Sequence, residues 1–120
     1  MSTLKTNRVE QVNNTDLPTN LLPVTASVWA RVNNGALLTD GFNASSVTDN
    51  GTGDFTLNFS SPLDNVTYSC VGSVIGNNGG FIGVASSGIA VGSVNILTYS
   101  VSGTLADRAG TNITILGGQQ

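Results

Sequence analysis

Two carboxylates and an amide stand close together at Asp49, Asn50 and Asp54, and oxygen ligands at that density are what a calcium ion takes. The spacing departs from an EF-hand, because no glutamate follows to close the coordination, and Asp and Asn are common turn formers in their own right. Asp49, Asp54 and Asp64 also offer carboxylates of the kind a glycosidase pairs. No spacing singles out two of them, and all three fall at predicted turns. Cys70 lies mid-strand among apolar neighbours, and the chain holds no histidine to activate it, so it reads as a small buried hydrophobe. Without histidine, His-based triads and the commonest metal ligand are both missing. One cysteine makes neither an internal disulfide nor a thiolate zinc site. The expectation is a protein that is not an enzyme, with no catalytic residue, no metal and no cofactor.

Charge narrows the partners. The basic residues are Lys5, Arg8, Arg31 and Arg108, against seven acidic ones, for a net charge of −3 over 120 residues. The sequence pI is near 4.3, so the positive footprint that holds a phosphate backbone is absent and nucleic acid is not an expected partner. No run of about 20 apolar residues exists, which argues against membrane insertion. The first 25 residues carry charges and amides where a signal peptide needs an apolar stretch, and the expectation is synthesis in the cytoplasm without a signal peptide. Charged residues are only 9% of the total, low for a surface that must stay wet. Asn, Ser and Thr supply that wetness instead, or copies of the chain cover part of the surface.

The elements that must position these residues are strands. Gly, Asn, Thr and Ser make up nearly half the chain, a composition of short strands and turns. Residues 1–25 stand apart, with the only Lys, the only Glu and two of the three prolines. Pro18 and Pro23 fix φ and push the residues before them toward extended geometry, so this segment is expected to be an extended arm. From Ala26 the period becomes two: Ala26, Val28, Ala30 and Val32 share one face, Ser27, Trp29 and Arg31 the other. Trp29, on the mostly polar face, reads as a rim residue packing against a neighbour. FNASSV at 42–47 is a weaker strand, and FTLNFS follows it after a turn that Asn50-Gly51 and Gly53 make possible. Further strands are expected at 66–75, in the glycine-broken run after Phe81, at 93–102 and at 112–116. Asn77 and Asn78 fall in a loop, as does TLADRAG. The sum is an all-β chain: a small antiparallel β-sandwich of about seven strands over 26–120, preceded by the arm. Six Asn-x-Ser/Thr triplets, the first at Asn13 and the last at Asn112, match glycosylation acceptors, but a chain this rich in Asn, Ser and Thr makes several by chance.

The strand VWARVN at 28–33, followed by SSVTDNGTGDFTLNF and then an aromatic-containing strand after a short Pro-bearing loop, resembles a β-module of tailed-bacteriophage tail fibres and other virion proteins. The likeness covers about 50 residues, and the opening MSTLKTNRVEQV is similar to the short N-terminal arms of phage fibre proteins. The resemblance implies a homotrimeric structural protein of a virion, without enzymatic activity. Under it the arm, with Leu4, Val9, Val12 and Leu17, attaches the protein to the tail or baseplate as a short tail fibre. The alternative is a capsid decoration protein, bound to the shell at threefold positions.

Two candidate surfaces follow. Loop amides hydrogen-bond sugars, which makes Asn77, Asn78 and the 105–111 segment candidates for contact with host surface glycans. In the strand at 93–102, Val94 and Ile96 point one way while Leu97, Tyr99 and Val101 point the other. One sandwich core covers one of those faces, so Leu97, Tyr99 and Val101 are the candidate subunit interface.

Overall fold

Apolar residues at every second position make the inner strands two-faced, and the two sheets of this protein turn their apolar faces toward each other. The computed structural model describes residues 26–119. Eight strands form: β1 (Ala26–Asn33), β2 (Leu37–Phe42), β3 (Ala44–Gly51), β4 (Asp54–Phe59), β5 (Tyr68–Ile75), β6 (Phe81–Ile89), β7 (Ser93–Tyr99) and β8 (Gly110–Gly117). They make two four-stranded sheets, β2-β1-β8-β5 and β3-β4-β7-β6, with every pairing antiparallel. The fold is an all-β sandwich.

The inner strands supply the core. Val28, Ala30 and Val32 of β1 and Ile113 and Ile115 of β8 face Phe55, Leu57 and Phe59 of β4 and Val94 and Ile96 of β7, all buried. Each large side chain so enclosed contributes about 1.5–3 kcal/mol over leaving it in water. Leu63, on the connection after β4, is buried with them and closes the core at one end.

The count exceeds the expected seven by β2. LLTDGF lacks the alternation that marks a half-buried strand, and it forms because β1 offers it an open edge. The expected strand at 42–47 is cut by Asn43, whose φ of 56° bends the chain from the first sheet to the second. Asn43 holds that corner with its side chain: Nδ2 donates to the carbonyls of Ser27 (3.3 Å) and Ser61 (3.1 Å), and Oδ1 accepts the Ser61 N–H at 2.7 Å. The expected strands at 66–75 and 93–102 are shorter, starting at Tyr68 and ending at Tyr99.

Because successive strands alternate in direction, the connections divide between two ends. One end carries the turns at 34–36, 52–53 and 76–80 and the long connection at 100–109. The other carries Asn43, residues 60–67 and 90–92, and Ala26, where the chain enters the fold. Hydrogen bonds tie this second end together, among them Leu63 N–H to Val91 O at 2.8 Å and Asp64 N–H to Gly118 O at 2.7 Å.

Candidate functional site

Asn77 and Asn78 sit exposed at the tip of the β5–β6 turn, closed by Gly79 N–H to Gly76 O at 3.2 Å. The loop is held from below. Nη2 of Arg108 donates to the Gly79 carbonyl, and the guanidinium lies over Gly76. Beside it, the Asp107 carboxylate accepts the Gly53 N–H at 2.7 Å, while Asn34 N–H reaches Ala109 O at 3.1 Å. The connection between β7 and β8 therefore clasps the other three turns of its end. The candidate segment 105–111 splits in two: Asp107 and Arg108 spend their charges on this clasp, and Gly110 and Thr111 already belong to β8, both buried. What the end presents outward is the Asn77 and Asn78 amides together with exposed Val101 and Leu105, on a braced base.

Of the three carboxylates considered for catalysis, Asp49 and Asp54 share the β3–β4 hairpin tip and Asp64 is placed apart. Asp64 lies on the connection at the opposite end from Asp49 and Asp54. Asp49 Oδ1 accepts the Gly51 N–H at 3.0 Å, and Asp54 Oδ1 accepts from Asn95 Nδ2 at 2.7 Å and Asn50 Nδ2 at 3.3 Å. Among the described residues, no three of His, Cys, Asp and Glu converge. Cys70 faces inward on β5, half-buried, and burial pushes its thiol up to about 11, so the sulfur stays protonated at neutral pH. Burial also raises the Tyr68 hydroxyl, which donates to the Ala90 carbonyl at 2.9 Å.

Of the three residues assigned to a subunit interface, Leu97 and Tyr99 lie half-buried on the outer face of β7, and Val101 is exposed in the turn beyond it. Tyr99 is partly covered from within the chain: its ring leans over Gly83 and stacks on Phe81, centroids 4.9 Å apart and planes 19° apart. The attachment residues Leu4, Val9, Val12 and Leu17 lie outside the described residues.

Two features escaped the sequence reading. A ladder of hydroxyls and amides covers the outer face of β3 and β4, in which Asn58 Nδ2 donates to Ser46 Oγ and Thr48 Oγ1, both at 3.1 Å. Its signal was present as polar residues at every second position of SSVTDN and DFTLNF, but only the pairing register brings them side by side. At the end where the chain enters, a shallow open depression of about 520 Å³ is lined by Thr67, Tyr68, Ser69, Leu116 and Gly117. Comparisons with protein-family models, with curated proteins and with solved structures found no match.

Proposed function

We propose that this protein is a structural component of a bacteriophage particle, a short tail fibre that binds the tail through residues 1–25 and presents its far loops to the host surface. The observation that carries the reading is the polarity of the domain: the chain enters at Ala26, while the braced loops with Asn77 and Asn78 lie at the other end. A fibre needs its anchor and its contact surface opposed in this way. The clasp by Asp107 and Arg108 supports it further, since a loop preorganised in one shape loses less entropy when it binds. The protein forms homotrimers in this reading, a number that comes from the resemblance to fibre modules. Its partners are itself, a tail or baseplate protein, and glycans of the host surface.

Copy number per virion, measured by quantitative gel of purified particles against the major capsid protein, is the first test. Copies in the low tens support the fibre. Copies at about a third or more of the capsid protein replace it with the decoration protein, and absence from particles removes both. At the loop, joint Asn77→Ala and Asn78→Ala substitution is expected to weaken host-cell binding at an unchanged melting temperature. Unaltered binding would move the contact elsewhere.

A further inference from the structure

The outer face of the β3-β4-β7-β6 sheet is polar over β3 and β4 and carries Leu97, Tyr99 and Phe81 over β7 and β6. On β3 and β4 the outward side chains are hydroxyls, amides and a carboxylate that bond one another, a surface at ease in water. On the β2-β1-β8-β5 sheet, alternation with buried Val28, Ala30 and Val32 turns Trp29 and Arg31 outward. The register carries the pattern across four strands: Trp29 lies between Phe42 and Thr114, and Thr114 is paired with Val71. Trp29, Phe42 and Val71 are 40%, 53% and 54% exposed. Toward the loop end, Leu37 and Ile75 are exposed on the same face at its two edges, with Asn33 and Gly110 between them. Next to the Trp29 row runs a polar one, in which Arg31 stands beside Asp40, the two charges of this face.

We propose that a second copy of this chain packs on the outer face of the β2-β1-β8-β5 sheet, with Arg31 of one copy against Asp40 of the next. Apolar surface of this kind, split by one cation and one anion, complements itself better than it complements a uniformly charged partner. A rotation axis parallel to the strands in front of β1 and β2 places every Arg31 and Asp40 in one layer. It places every Trp29 and Phe42 in the layer two residues away, about 7 Å along the strand. Both charges have capacity for a neighbour. Arg31 uses Nε on Asn33 and Nη1 on Asn112, out of five N–H donors, and Asp40 commits Oδ1 to the Gly41 N–H at 2.8 Å. The axis also keeps every copy's loop end on the same side of the assembly. This interface differs from the one expected at Leu97, Tyr99 and Val101, where Phe81 already covers part of the apolar surface.

The inference rests on the self-association part of the proposed function and not on the location in a virion. Sedimentation of the purified full chain separates the two, because copy number on particles does not enter it. The wild type is expected to sediment as an oligomer. Arg31→Asp and Asp40→Arg are each expected to shift it to a folded monomer that melts somewhat lower, since each also sets like charges opposite one another on β1 and β2, and the double swap to restore the oligomer. Leu97→Lys should leave the oligomer intact. A monomeric wild type, single swaps without effect, a double swap that fails to restore association, or dissociation by Leu97→Lys each overturn it. So does a monomer that loses host-cell binding on Trp29→Ala, since the face then belongs to a ligand.

Discussion

At the scale of single residues, two buried threonines show how one substitution takes opposite signs. Thr98 and Thr111 are 1% and 0% exposed and both point into the sandwich. The Thr98 hydroxyl donates to the Ala106 carbonyl at 2.7 Å, whereas the Thr111 hydroxyl has no partner within the described residues. A buried hydroxyl left unmade costs about 1–3 kcal/mol, and valine has the same shape without it. Thr111→Val is therefore expected to stabilise by about 1 kcal/mol, raising the melting temperature by roughly 4–8 °C. Thr98→Val is expected to destabilise by about 1 kcal/mol. Calorimetry of the pair checks this, and a loss of stability in Thr111→Val would mean that the hydroxyl bonds a buried water. Some residue roles were legible: Cys70 faces inward, and burial there pushes its thiol up to about 11. The work of Asp107 and Arg108 was not, because their partners Gly53 and Gly79 lie 54 and 29 positions away, and no local pattern encodes such a pairing.

Among the elements, the β3–β4 hairpin was the most readable, since FTLNF alternates cleanly and glycines precede it. Its tip is two residues further along than Asn50-Gly51 suggests: Gly51 pairs with Asp54, leaving Thr52 and Gly53 as the turn. Asn50 instead falls in a bulge between Asp49 and Gly51, so that its side chain reaches Thr56 at 2.9 Å. β2 was invisible for the converse reason, as its sequence is weak and its neighbour does the ordering. The two hairpin glycines differ in what a side chain would meet. At Gly53, φ is 66° and an added Cβ would come within 2.6 Å of Ala106 N and Thr98 O; at Gly51 the space is open. Strain at a positive φ is of order 1–3 kcal/mol, and at Gly53 a backbone clash adds to it. Gly53→Ala is expected to lower the urea midpoint well below that of Gly51→Ala. Equal midpoints would show that the 100–109 connection is not packed against this turn.

For the whole molecule, the pairing of β1 with β8 decides what can be removed. The first and last described strands lie side by side at the centre of one sheet, so the core closes only when everything between them is present. Contacts of that sequence separation make folding slow and cooperative rather than modular. The buried apolar residues run from Val28 to Ile115, and the strands that hold them run from Ala26 to Gly117. A chain lacking residues 1–20 is accordingly expected to unfold in one transition, within a few degrees of the full protein. In the fibre reading the same deletion abolishes incorporation into particles, because the segment that leaves the domain opposite its loops is the anchor. Thermal melting and particle binding, measured on one preparation, give the two effects separately. A deletion that binds particles as before removes the anchor role, and one that no longer melts cooperatively shows that residues 1–20 belong to the fold rather than to an attachment arm.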